Sequence, residues 1–174
     1  MKQHLFLKLL SFLVTMALML GGAPAFAQDI GPALLEGYVL GAEEGTILLD
    51  TQEYGEIRVH VDDASVFEGI DVLPETNAYV YVTYDGNVSA SLPGQVYGQK
   101  ITAYVIAGEI KEVAEKSLMI LQDDTADEVI VHLPENVEPM VPGARIRVYT
   151  DGTMALSLPP QVVARSVCGS DMAG

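Results

Sequence analysis

The chain has 174 residues, with 9 Lys and Arg against 24 Asp and Glu and a formal net charge of −15. A charge this negative repels phosphate backbones and anionic lipid, so nucleic acid is excluded as an expected partner while solubility and weak association with divalent cations are favoured. The single cysteine, Cys168, excludes an internal disulfide, so stability has to come from packing.

Residues 1–27 differ from all that follows. Lys2, His4 and Lys8 give a positive start, residues 9–20 are almost wholly apolar, and Ala23-Pro24-Ala25-Phe26-Ala27 ends in an A-x-A pattern. This is the pattern of a bacterial secretory signal peptide cut after Ala27. The apolar run is short of the ~20 residues that span a bilayer, and no cysteine follows it to carry a lipid. The expected product is secreted or otherwise extracytoplasmic. Cleavage removes Lys2 and Lys8 and no acid, leaving 7 basic and 24 acidic residues and a formal charge of −17.

Residues 28–34 read as a flexible lead-in. From Leu35 onward, short β runs alternate with turn residues every 8 to 12 positions, the mark of an all-β sandwich or barrel. Strands are expected over 35–40, 46–50 and 56–61; in the last, Ile57, Val59 and Val61 alternate with Arg58 and His60, so one face is buried and one is wet. Residues 62–76 are irregular. A strong strand follows over 77–84, with Ala78, Val80 and Val82 set against Tyr79, Tyr81 and Thr83. Asp85-Gly86 is a turn that tolerates positive φ, Pro93 interrupts the ladder because it has no N–H to donate, and residues 100–106 close the unit.

The pattern then starts again. Residues 85–96 read DGNVSASLPGQV and residues 151–162 read DGTMALSLPPQV, with seven of twelve positions identical at an offset of 66. Earlier in the unit the matching offset is 71 to 72, so the second copy is about six residues shorter between its third and fourth strands. So dense a match within one chain indicates one small β module used twice. Five strands per copy, with the usual helix position between the third and fourth filled by a loop, is the OB order. The expected architecture is two tandem OB-like five-stranded barrels, residues 35–106 and 107–168, followed by a tail over 169–174. The alternative is one continuous β-sandwich.

A Gly-bearing first strand, an Asp-Gly turn and an S-x-P-x-Q segment before the last strand resemble small exported OB-like proteins of Gram-positive bacteria, the YobA-like family. The segment stands here as Ser91-Leu92-Pro93-Gly94-Gln95 and Ser157-Leu158-Pro159-Pro160-Gln161. The family often carries Tyr where this chain has Leu92 and Leu158, and is often a single lipid-anchored copy. The resemblance implies a fold and a compartment. It implies no activity and no functional residue.

Candidate sites follow from the copies. The repeated Asp85, Gly86, Ser91, Pro93 and Gln95, with Asp151, Gly152, Ser157, Pro159 and Gln161, are expected to be structural, the leucine between Ser and Pro plugging the barrel end and Gln binding loop backbone. His60 and His132 fall at equivalent third-strand positions and could, with Asp62 or Glu135, hold a divalent metal. On the wet faces of the fourth strands, Tyr79, Tyr81 and Thr83 in one copy and Arg145, Arg147 and Tyr149 in the other could stack on sugars, bind carboxylates or pack between the copies. Cys168 is expected to fill space in the last strand, with a disulfide between chains as the alternative. No G-x-S-x-G, HExxH or Cys/His pairing is present, and the paired acids sit in turns where neighbouring side chains diverge.

These features point to a non-enzymatic binding or accessory module of the cell envelope, without a cofactor, contacting protein or carbohydrate through sheet faces or loop ends. The alternatives are an acidic structural protein that binds divalent cations and, further off, a hydrolase.

Overall fold

The computed structural model describes residues 31–70, 73–135 and 137–169. The expected signal peptide, residues 28–30 of the lead-in and residues 170–174 of the tail lie outside the described residues. The end of the lead-in, Ala33 and Leu34, is not a flexible segment but already part of the first strand, because it pairs with Tyr84 and Thr83. Within them there are eleven strands and no helix, and therefore no helix long and apolar enough to cross a membrane.

The first unit contains β1 (Ala33–Glu43), β2 (Thr46–Thr51), β3 (Gly55–His60), β4 (Val66–Glu68), β5 (Tyr79–Tyr84) and β6 (Gly94–Thr102). β1 pairs antiparallel with β2 and β5, β2 with β3 and β5 with β6, and β6 returns parallel to β3. That ring is the OB barrel order. The alternating residues Val39, Ile47, Leu49, Ile57, Val59, Val80, Val82 and Ile101 are almost wholly buried inside it, each contributing about 1.5–3 kcal/mol of burial. The three-residue β4 pairs parallel with the end of β6 in the stretch between the third and fourth barrel strands.

The second unit repeats the ring with β7 (Tyr104–Val113), β8 (Ser117–Gln122), β9 (Glu128–His132), β10 (Arg145–Thr150) and β11 (Gln161–Gly169). β7 pairs with β8 and β10, β8 with β9, β10 with β11, and β11 returns parallel to β9, closing the barrel. Its core is Ile110, Leu118, Ile120, Val129, Val131, Ile146 and Val148. The tandem OB-like architecture expected from the repeat is the one observed.

The match extends to irregularities. Register shifts fall between Val39 and Gly41 in β1 and between Ile110 and Glu112 in β7; others fall between Thr83 and Tyr84 and between Tyr149 and Thr150. A Cβ on Gly37 would strike the carbonyl oxygen of Asp50, and one on Gly108 that of Leu121. Both glycines let two strands approach where a side chain would part them.

One boundary differs from expectation. The strand read over 100–106 is two strands, since β6 ends at Thr102 and β7 starts at Tyr104 with only Ala103 between them. Ile101 enters the first core and Ile106 the second. The buried positions shift from odd (Ile101, Ala103) to even (Ile106, Ile110) at the join, a change of phase inside an otherwise continuous apolar run.

The barrels are fastened where β1 and β5 meet β10 and β11. Tyr149 packs into the first barrel's apolar cluster together with Cys168, and its hydroxyl donates to Glu75 Oε1 at 2.9 Å. Arg147 Nη1 lies 3.1 Å from the same carboxylate oxygen. Arg165 sits over the Tyr79 ring at 5.6 Å, and edge contacts link Tyr38, Tyr79, Tyr81 and Tyr104 in series.

Candidate functional site

The loops that the repeated motif builds stand out from the rest of the surface. Each begins with an Asx turn: Asp85 Oδ1 accepts from Asn87 N at 3.0 Å, and Asp151 Oδ1 accepts from Thr153 N at 2.9 Å. The Asn87 side chain, then its backbone, holds the Asp85 carboxyl below its usual range, and Thr153 does the same for Asp151. Gly86 (φ 85°) and Gly152 (φ 83°) take the left-handed conformation that favours glycine.

The chain then closes on itself. Ser89 N donates to Gln95 O at 2.9 Å while Gln95 N donates to Ser89 Oγ at 2.9 Å. In the second copy, Ala155 and Gln161 exchange backbone bonds of 2.8 and 3.3 Å. Inside each closure the serine hydroxyl donates to the proline carbonyl, Ser91 to Pro93 at 2.8 Å and Ser157 to Pro159 at 2.6 Å. Both Leu-Pro bonds, Leu92-Pro93 and Leu158-Pro159, are cis.

The glutamines secure the loops to the barrels. Gln95 Oε1 lies 2.9 Å from His60 Nε2, and Gln161 Oε1 lies 2.8 Å from His132 Nε2. The parallel pairing of β3 with β6, and of β9 with β11, brings each pair together. The expectation that Gln bonds loop backbone is corrected to this extent: its side chain holds a histidine, while its main chain closes the loop.

The leucines do the opposite of what was expected. They do not plug the barrels. Leu92 is 98% exposed, Leu158 100% and Leu156, which replaces Ala90, 99%. In the first loop it is Val88, not Leu92, that packs against the barrel core, and a loop closed by its own hydrogen bonds has no need of a leucine inside.

The metal arrangement considered for His60 and His132 is not assembled. Each histidine is bonded to a glutamine of its own barrel, and Asp62 caps a turn by accepting from Ala64 N at 2.9 Å. Among the described residues no three His, Cys, Asp or Glu side chains gather as a metal ion would need.

The fourth-strand residues divide. Tyr79 and Tyr149, expected on wet faces, are 7% and 2% exposed because the neighbouring barrel covers that side of each strand. Arg147 reaches Glu75 at the same junction. Tyr81 is half-buried between Tyr79 and Tyr104, and Thr83 is half-buried opposite Leu34 and Lys100. Arg145 is exposed and paired with Asp123 at 2.5 Å. Cys168 is buried, its thiol donating to Thr76 O at 3.7 Å.

No family model matches the chain, and no curated protein matches it. Among solved structures, Drosophila Unr CSD456 is similar at 11% identity and a TM-score of 0.28, over 75% of this chain and 59% of that one. A multidomain protein with nucleic acid binding domains from Streptococcus pneumoniae TIGR4 is similar at 10% identity and a TM-score of 0.31, over 76% of this chain and 51% of that one. This chain thus spans a little over half the length of either. Likenesses this slight say nothing about what it does.

Proposed function

We propose that this protein is an extracytoplasmic, non-enzymatic binding module that grips a protein partner through its two motif loops. The observation that carries the reading is the near-complete exposure of Leu92 and Leu158, 98% and 100%, on loops pinned by their own hydrogen bonds. Isolated exposed apolar residues are ordinary, but a large one held out by the same device twice costs solubility and is retained for contact. A knob fixed before binding loses little conformational entropy on docking, which raises affinity for a given contact area. The segments 89–95 and 155–161 carry no charged residue, so a leucine can enter an apolar pocket without stripping water from an ion. The overall charge of −15 favours a partner whose pocket is rimmed by Lys and Arg over a phosphate polymer.

The test is a photo-crosslinking residue in place of Leu92 or Leu158 in the producing cell, followed by analysis of the envelope and secreted fractions. A discrete protein adduct, absent when the other leucine is also changed to Ser, is expected. Adducts scattered over abundant proteins, or unchanged by the second substitution, would sink the reading.

A further inference from the structure

The two copies offer an internal control, because strand register assigns each outward residue of one barrel to its counterpart in the other. On the first barrel, Thr46 pairs with His60 and His60 with Tyr97, while Leu48 pairs with Arg58 and Arg58 with Gln95. On the second, Ser117, His132 and Val163 form the first row, and Met119, Ile130 and Gln161 form the other. Four of the six places keep their character: hydroxyl, histidine, long apolar and glutamine. The other two change outright, Tyr97 to Val163 and Arg58 to Ile130.

The second barrel closes with Val163 and Ile130 at these two places, so the ring order itself does not call for an aromatic ring or a guanidinium there. Tyr97 is nonetheless held in place. Its ring centroid lies 5.2 Å from that of His60 at a tilt of 31°, and His60 is fixed in turn by Gln95. Tyr97 as a residue is 70% exposed, and Arg58, on the neighbouring strand, is exposed too. With Gln95 Oε1 committed to His60, the amide N–H groups of Gln95 are left to donate outward.

We infer that this face of the first barrel binds a ring of a neutral oligosaccharide. Tyr97 supplies a flat apolar plate for the C–H face of a pyranose, and Arg58 and Gln95 supply donors for hydroxyl groups at its edge. An anionic polymer is disfavoured by the charge of −15. The inference does not rest on the exposed leucines of the loops; it shares with the first loop only Gln95, which closes that loop through its main chain and faces Arg58 across the sheet. It also differs from the sugar-stacking role considered for Tyr79 and Tyr81, whose rings are engaged at the junction.

The experiment is backbone amide NMR of the mature chain titrated with neutral β-1,4-linked glucose and N-acetylglucosamine oligomers, with an octathymidylate as the anionic comparison. Saturable shifts at residues 58, 60, 95 and 97 are expected with a neutral oligomer. Tyr97→Ala should weaken them by about tenfold or more, Tyr97→Phe should largely preserve them, and Leu92→Ser should leave them unchanged. The double variant Val163→Tyr/Ile130→Arg should gain shifts on the second barrel. No saturable shift with either oligomer, shifts that survive Tyr97→Ala, or tighter binding of the octathymidylate would each overturn the inference. A loss of binding in Tyr97→Ala accompanied by a lower melting temperature would also count against it, because it would make Tyr97 a folding residue.

Discussion

Tyr149 donates its hydroxyl to Glu75 at 2.9 Å, a bond that crosses from the second barrel to a loop of the first. Tyr149 is 2% exposed, and both burial and the carboxylate beside it push its phenol well above the usual range. Hydrogen bonds to charged groups contribute roughly 1.5–3 kcal/mol. Tyr149→Phe should therefore lower stability by about that amount in urea denaturation. A change within about 0.5 kcal/mol would mean that the junction is held by packing alone.

Gly37 and Gly108 make matched predictions. An added methyl at either meets a backbone carbonyl, which cannot swing aside as a side-chain tip can. Gly37→Ala and Gly108→Ala should each cost about 1–3 kcal/mol, the range for overpacking. Similar losses at the two sites are expected from thermal melts; a neutral result at either would show that β1 or β7 slides to relieve the contact.

Ser166 carries a buried hydroxyl with no hydrogen-bond partner among the described residues. Removing an unpaired polar group relieves its desolvation cost, in the range of about 1–3 kcal/mol. Ser166→Ala should be neutral or stabilising in chemical denaturation. A clear loss of stability would reveal a partner for that oxygen.

Alkaline pH should loosen the fold. Burial, then the Glu75 charge, pushes the Cys168 thiol from 9.0 up to about 11, and burial pushes Tyr79 from 10.0 to about 12. A raised folded-state value means that the native chain holds its proton longer than the unfolded chain. Both contributions are whole below the unfolded values and fade as pH rises through the folded ones. The melting temperature should fall steadily between pH 9 and 12, and Cys168→Ala should lessen the early part of the decline. Native protein at pH 8 should resist thiol reagents until denaturant is added, since the thiolate is the reactive form.

The duplication and the strand order were legible because they rest on period-2 alternation and on matched turn residues, which are local. What covers a face was not legible. Tyr79 alternates correctly with Val80, yet its outward side meets Arg165 from far along the chain, and no local pattern records that. Leu92 misled for a related reason: its apolarity suggests an interior, while its place in a self-closed loop puts it in water. A usable signal was present in the replacement of Ala90 by Leu156, since a position that accepts either size has free space around it. The His60–Gln95 bond was also foreshadowed, because His132 and Gln161 reproduce both partners in the other copy.

The lone Ala103 between β6 and β7 leaves the pair of barrels without a tether to pay out. Leucine knobs on two articulated beads could adapt to targets of many sizes, but on a body with no slack they keep one separation, like the pins of a plug. A target with a single socket would engage one knob and gain nothing from the other, whereas one with two sockets at the matching pitch would gain the large enhancement that comes when the second contact forms within an already joined pair. If the knobs bind as proposed, a counterpart that is itself repetitive, or a surface on which identical molecules stand at regular intervals, would draw the full benefit of both.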